Sequence, residues 1–158
     1  DSSTSRGLGD VYKRQVRIGW RSIGVRPERI AAIGTIMADV ADEELGVEDI
    51  DTVVGISING IPFAHEVARH LGAEFTIFRN VEGADGQGVL SNKYGKVAGK
   101  KVVIIDDVLS SGVTMGKTIQ AIRAVGGEVG LAVVLVNKTT RNEIEGVPLR
   151  GIIRAVPV

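Results

Sequence analysis

Two stretches of this sequence contain no polar residue: Val102-Val103-Ile104-Ile105 and Leu131-Ala132-Val133-Val134-Leu135-Val136. Both are too short for typical helices, and both are rich in β-branched residues that suit strands. A strand with one wet face alternates apolar and polar positions. A strand with none must be covered on both sides, which is the situation at the centre of a parallel sheet. Parallel neighbours cannot be joined by a tight turn, so each needs a crossover, usually helical.

The chain supplies the crossovers. From Pro27, the apolar residues Ile30, Ile33, Met37, Val40 and Ala41 recur at spacings of three and four, and predict an amphipathic helix with proline at its start. Thr52–Ile56 predicts a buried strand, and Ala64, Val67, Ala68 and Leu71 a second helix closed by Gly72. Phe75–Phe78 predicts the next strand. Met115, Ile119, Ile122 and Val125 mark a third helix ending at Gly126-Gly127, and Gly151–Val156 predicts a last strand. Between them, residues 80–100 are polar and glycine-rich, too long for a routine connection, and predict a mobile or functional loop. The fold class is therefore α/β, a mostly parallel sheet flanked by helices, with ligands expected beyond the carboxyl ends of the strands.

Composition removes several function classes. A chain of 158 residues is one domain. It has no cysteine and only two histidines, which excludes disulfides, thiolate metal sites and a cysteine nucleophile. Lys+Arg and Asp+Glu both number 19, without the basic excess expected of a nucleic-acid binder. No apolar run is long enough to span a membrane, and no signal peptide is visible, so a cytoplasmic location is expected. Residues 1–15 are polar, Gly/Ser-rich and aperiodic. They resemble translated adaptor sequence and are expected to be non-native, leaving residues 16–158 as the domain and the true N-terminus missing.

The chemistry concentrates in Val102–Thr114. Two acids, Asp106 and Asp107, follow the apolar run, and Ser110-Ser111-Gly112-Val113-Thr114 leads into a helix. A turn of this kind offers backbone N–H groups, hydroxyls and the positive end of a helix dipole, which together cradle phosphate. Carboxylates cannot bind phosphate. Beside a phosphate site they bind sugar hydroxyls or Mg²⁺, and the combination points to a phosphorylated sugar. Either half alone has a plainer reading, acids ending a strand and hydroxyls capping a helix. The segment from Ser111 to Thr118 comes near a P-loop pattern, but its first glycine would be Ser111, and the helical period places Lys117 inside the helix.

All thirteen positions of Val102–Thr114 resemble the 5-phosphoribosyl-1-pyrophosphate (PRPP) motif of type I phosphoribosyltransferases. The resemblance implies that Ser110, Ser111, Gly112, Val113 and Thr114 hold the 5′-phosphate. It implies that Asp106 and Asp107 meet the ribose hydroxyls and, in catalysis, stabilise the cationic ribose carbon. Mg²⁺ is implied as a cofactor arriving with PRPP, with no residue assigned to it directly. A second turn, Gly55-Ile56-Ser57-Ile58-Asn59-Gly60-Ile61-Pro62, is similar to the pyrophosphate loop of orotate phosphoribosyltransferases, and implies pyrophosphate contacts at Ser57, Ile58, Asn59 and Gly60.

The resemblance to those enzymes weakens after the next strand. Where they carry a cationic loop, this chain reads Arg79-Asn80-Val81-Glu82-Gly83-Ala84-Asp85: only Arg79 matches, and two acids are added. Lys93 and Lys138 are the candidates for loop and base contacts. His65 and His70 lie off the apolar face of the second helix and read as surface residues. Over nearly all of 16–158 the chain resembles the archaeal orotate-phosphoribosyltransferase-like transcription regulators of sugar catabolism (the GfcR type). The shared pieces include Trp20-Arg21-Ser22-Ile23-Gly24, Gly88-Val89-Leu90-Ser91-Asn92 and Asn142–Leu149. That resemblance implies an effector-sensing domain for PRPP or a related phosphorylated sugar or nucleotide. It also implies a homodimer, and DNA contact only through a missing N-terminal helix-turn-helix. The alternative is an active orotate, or other purine or pyrimidine, phosphoribosyltransferase.

Overall fold

The computed structural model describes residues 26–80 and 86–157. The adaptor-like segment 1–15, the Trp20–Gly24 match, and Glu82 and Asp85 lie outside the described residues.

Within them the order is α1 (Pro27–Leu45), a 3₁₀ turn (Val47–Asp49), β1 (Thr52–Ile56), α2 (Ile61–Leu71), β2 (Glu74–Arg79), β3 (Val89–Leu90) and β4 (Lys101–Leu109). Then follow α3 (Val113–Ala124), β5 (Glu128–Asn137), β6 (Glu143–Ile144) and β7 (Val147–Arg154). One seven-stranded sheet runs β3-β2-β1-β4-β5-β7-β6. The five inner strands are parallel, and the two-residue strands β3 and β6 pair antiparallel at the edges.

The apolar runs behave as their composition requires. On β4, Val102 and Ile104 face one core, with Met115, Ile119 and Ile122 of α3. Their neighbours Val103 and Ile105 face the other, with Met37 and Ala41 of α1 and Phe63 and Val67 of α2. Successive side chains of a strand point to opposite faces, so an unbroken apolar run fills two cores at once. Each fully buried side chain of this size contributes about 1.5–3 kcal/mol.

Four expectations need correction. β4 does not stop before the acids: it continues through Asp106 and Asp107 to Leu109, because its ladder with β5 runs on to Val108↔Val136 and Leu109↔Asn137. Val125 lies beyond the end of α3 and is exposed, since the helix stops at Ala124 and Gly126 takes φ +88°. The 80–100 segment is not all loop: Phe78↔Leu90 and Arg79↔Val89 bring it back onto the sheet as β3. The last strand starts at Val147 rather than Gly151, and forms a hairpin with β6. Lys117 lies inside α3, as the helical period requires, and His65 and His70 are exposed. No described helix is long and apolar enough to cross a membrane.

Candidate functional site

The strand order reverses between β1 and β4. The chain leaves β1 toward β2 on one side and leaves β4 toward β5 on the other. Such a switch point opens a crevice at the carboxyl ends of the two strands, where nothing crosses overhead. A cavity of about 180 Å³ lies there. The turn after β1 lines it with Ser57, Ile58 and Asn59, and β4 with the turn after it contributes Asp106, Asp107, Ser110, Ser111, Gly112 and Thr114.

The turn after β4 is held open by its own geometry. Gly112, at the N-cap of α3, has φ +85°, a conformation that costs other residues roughly 1–2 kcal/mol. Helical bonding begins with the Gly116 amide donating to Gly112 O at 2.9 Å. The Val113 amide donates to Ser111 Oγ at 3.3 Å. The amides of Gly112, Thr114 and Met115 have no partner among the described residues. These are the orphan donors that every helix start leaves, here on residues that line a cavity at the positive end of the helix dipole.

The turn after β1 is shaped by contact with β4. The Ser57 amide donates to Phe78 O and the Gly60 amide to Ile56 O, and the Ser57–Ile58 peptide is cis. The Ile58 and Asn59 amides have no partner among the described residues. A β-carbon on Gly60 would stand 2.7 Å from Ile56 O, 2.8 Å from Ile105 O and 3.0 Å from Asp106 Oδ1. Gly60 is thus where the turn after β1 meets β4.

The carboxylates are partly withdrawn from solvent. Asp107 is 7% exposed. The Asp107 amide donates to Asp106 Oδ1 at 2.8 Å, and the Val108 amide to Asp107 Oδ1 at 2.7 Å. Burial pushes the Asp106 carboxyl up to about 8, helped by a side-chain hydrogen bond with Asp107 and by that neighbour's charge, and opposed by the Asp107 amide. A carboxyl beside a carboxylate offers a donor and acceptors together, the pattern that vicinal hydroxyls satisfy.

The remaining candidates stand apart. Gly60 meets Asp106 without lining the cavity. Val113 is 58% exposed and outside it. Arg79 is exposed and ends β2 in register with Val89, while the next residue, Asn80, lines the cavity. Lys93 and Lys138 are exposed and do not line it. Ile56, Asn80, Val108, Leu109 and Met115 also line the cavity without being candidates from the sequence; all but Asn80 and Met115 lie within the two motif segments, and Asn80 adjoins Arg79. Among the described residues no group of three His, Asp or Glu is placed to hold a metal by itself.

The phosphoribosyl transferase domain family matches residues 19–156. The transcriptional regulator GfcR of Thermoplasma acidophilum is 43% identical over 143 residues, 89% of this chain and 72% of that protein. The GfcR of Archaeoglobus fulgidus is 37% identical over 156 residues, 96% of this chain and 79% of its own length. Among solved structures, the orotate phosphoribosyltransferase of Aeropyrum pernix superposes with TM-score 0.62 at 26% identity, covering 76% of this chain and 70% of that one. The Mycobacterium tuberculosis orotate phosphoribosyltransferase in complex with PRPP shares the fold, with TM-score 0.68 at 20% identity over 86% of this chain and 79% of that one. The chain belongs to the phosphoribosyl transferase domain family and is homologous within it to the archaeal GfcR regulators.

Proposed function

We propose that this domain binds a phosphoribosyl ligand of the PRPP type, and that it serves as the effector-sensing part of an archaeal transcription regulator rather than as an efficient transferase. The observation that carries the reading is the convergence of two turns on one crevice: free amides of the α3 start on one side, free amides of Ile58 and Asn59 on the other, and the Asp106–Asp107 pair between them. In this reading the first turn holds the 5′-phosphate, the second the pyrophosphate, and the acids the ribose hydroxyls. Mg²⁺ fits the donor set, the Asp106–Asp107 pair and hydroxyl oxygens, as a cation shared with the ligand's own oxygens, and its charge would favour loss of the Asp106 proton. It would supply countercharge to the pyrophosphate.

Two observations favour sensing over turnover. The relatives of highest identity given above are named as transcription regulators. From the last residue of β2 onward, residues 79–85 also offer one cation, Arg79, and two acids where pyrophosphate departure needs positive charge. Each absent electrostatic contact typically costs about 3 kcal/mol of transition-state stabilisation, or roughly a hundredfold in rate. The cytoplasmic setting, the homodimer and DNA contact through a preceding helix-turn-helix go with this reading. The zero net charge agrees that operator contact is made elsewhere.

The test pairs binding with turnover on the full chain. Calorimetry should show Mg-PRPP binding, abolished in an Asp106→Asn, Asp107→Asn double variant that keeps its far-UV circular dichroism. Orotidine 5′-phosphate formation from orotate and Mg-PRPP should fall far below the common enzyme median of about 10 s⁻¹. Turnover of several per second would replace the sensor with an enzyme, and unchanged affinity in the double variant would remove the acids from the site.

A further inference from the structure

Arg141 is a cation placed beside the phosphate turn by a segment that belongs to neither of the site's turns. It does not line the cavity itself, but its Nη1 lies 3.1 Å from where a β-carbon on Gly112, which does, would stand. The backbone that carries it is built around Asn137, a fully buried polar residue at the end of β5. Asn137 Nδ2 donates to Arg141 O at 2.9 Å. Asn137 Oδ1 accepts from the Thr139 amide at 2.9 Å and the Thr139 hydroxyl at 2.8 Å, and the Arg141 amide donates to Thr139 Oγ1 at 3.1 Å. Arg154 Nη2 adds a donor to Arg141 O at 3.3 Å. The turn is therefore fixed from inside the protein while the guanidinium is left free: no ion pair or hydrogen bond engages it among the described residues. Glu143 and Glu145, in the hairpin that follows, are exposed and do not pair with it.

The phosphate turn itself offers only amides and hydroxyls, which carry no net charge. A terminal phosphomonoester carries about two negative charges at neutral pH. An unpaired guanidinium is the group that matches it, with planar donors suited to two phosphate oxygens. We infer that Arg141 is a specificity-determining residue of this site, which selects a doubly charged phosphomonoester at the α3 turn over a singly charged ester. The inference rests on reading the cavity as a phosphoribosyl site and deepens it.

The experiment titrates the full chain with ribose 5-phosphate and with ribose 5-sulfate, a singly charged analogue, at pH 8. The parent should prefer the phosphate. Arg141→Gln should weaken ribose 5-phosphate roughly ten- to a hundredfold, since hydrogen bonds to charged groups are the strong ones. It should weaken the sulfate ester much less, so the preference between the two collapses. Arg141→Lys should retain part of it. Arg141 is exposed, so both variants should melt close to the parent. Equal affinity of parent and Arg141→Gln for ribose 5-phosphate overturns the inference and leaves the site intact. A parent that does not bind ribose 5-phosphate at all overturns both.

Discussion

The two turns that frame the crevice each depend on a glycine, for different reasons. Gly112 is needed for its conformation: at φ +85° it turns the chain into α3 and frees the amides beyond it. Gly60 has an ordinary φ of −75° and is needed for space, with two backbone oxygens and a carboxylate less than or about 3.0 Å from where its β-carbon would be. A positive φ is a local demand, met by the loop's own sequence pattern. A close approach is imposed by another strand and becomes visible only when β1 and β4 stand side by side. The first turn can therefore be recognised alone, and the second only through its partner.

Substitutions at the two glycines test that contrast directly. The largest effect should come from Gly60→Ala, which sets a methyl against Ile56 O, Ile105 O and Asp106 and cannot be relieved by a rotamer change. Overpacking against backbone costs about 3 kcal/mol, enough to lower the melting temperature by several degrees and to separate the turn from Asp106. A melting temperature within a degree of the parent would show that β1 and β4 are free to move apart.

Next in size is the response of the carboxylate pair to pH. In the folded chain Asp106 keeps its proton up to about pH 8, whereas an unfolded aspartate releases it near 4. Across that window the folded state holds the extra proton, so stability falls as pH rises, and it levels off above 8. Asp106→Asn should flatten this slope and raise stability at pH 9 by on the order of 2 kcal/mol, with little change at pH 4. Parallel stability curves for variant and parent would mean that burial does not hold the proton.

Gly112→Ala should cost less than Gly60→Ala, about 1–2 kcal/mol, because its contacts are the movable ends of Ile144 and Arg141 and the penalty is mainly conformational. Gly112→Asn should recover part of the loss, since asparagine tolerates the left-handed region, while Gly60→Asn should recover none. Equal rescue at both positions would erase the distinction. The smallest effect belongs to Ser111→Ala, which removes one exposed bond to the Val113 amide, about 0.5–1 kcal/mol by thermal melting.

Much of this architecture is legible in the sequence because apolar runs report burial on both faces. Val102–Ile105 divides between two cores as an unbroken run must. The turn from β4 into α3 is legible because every residue that shapes it is contiguous. The continuation of β4 through Asp106 and Asp107 is not, since polar residues usually end a strand and here the ladder to β5 overrides that tendency. β3 and β6 are two residues each, too short for any period, and exist only through their partners. Asn137 is the instructive miss. It ends an apolar strand where a loop residue is expected, yet it is buried because its side chain substitutes for backbone partners in the turn that positions Arg141.

Those two short strands also bear on how the folded chain behaves in a crowded solution. A sheet that ended on β2 or β7 would expose six or eight residues of unpaired backbone, a template on which another chain's strand could extend the ladder. Val89-Leu90 and Glu143-Ile144 each cover part of that length with a reversed strand too short to recruit a successor. Contacts between copies are thereby steered toward helices and loops rather than continuous hydrogen-bonded sheets. This protects the folded chain at the points where a parallel sheet is most prone to aggregate.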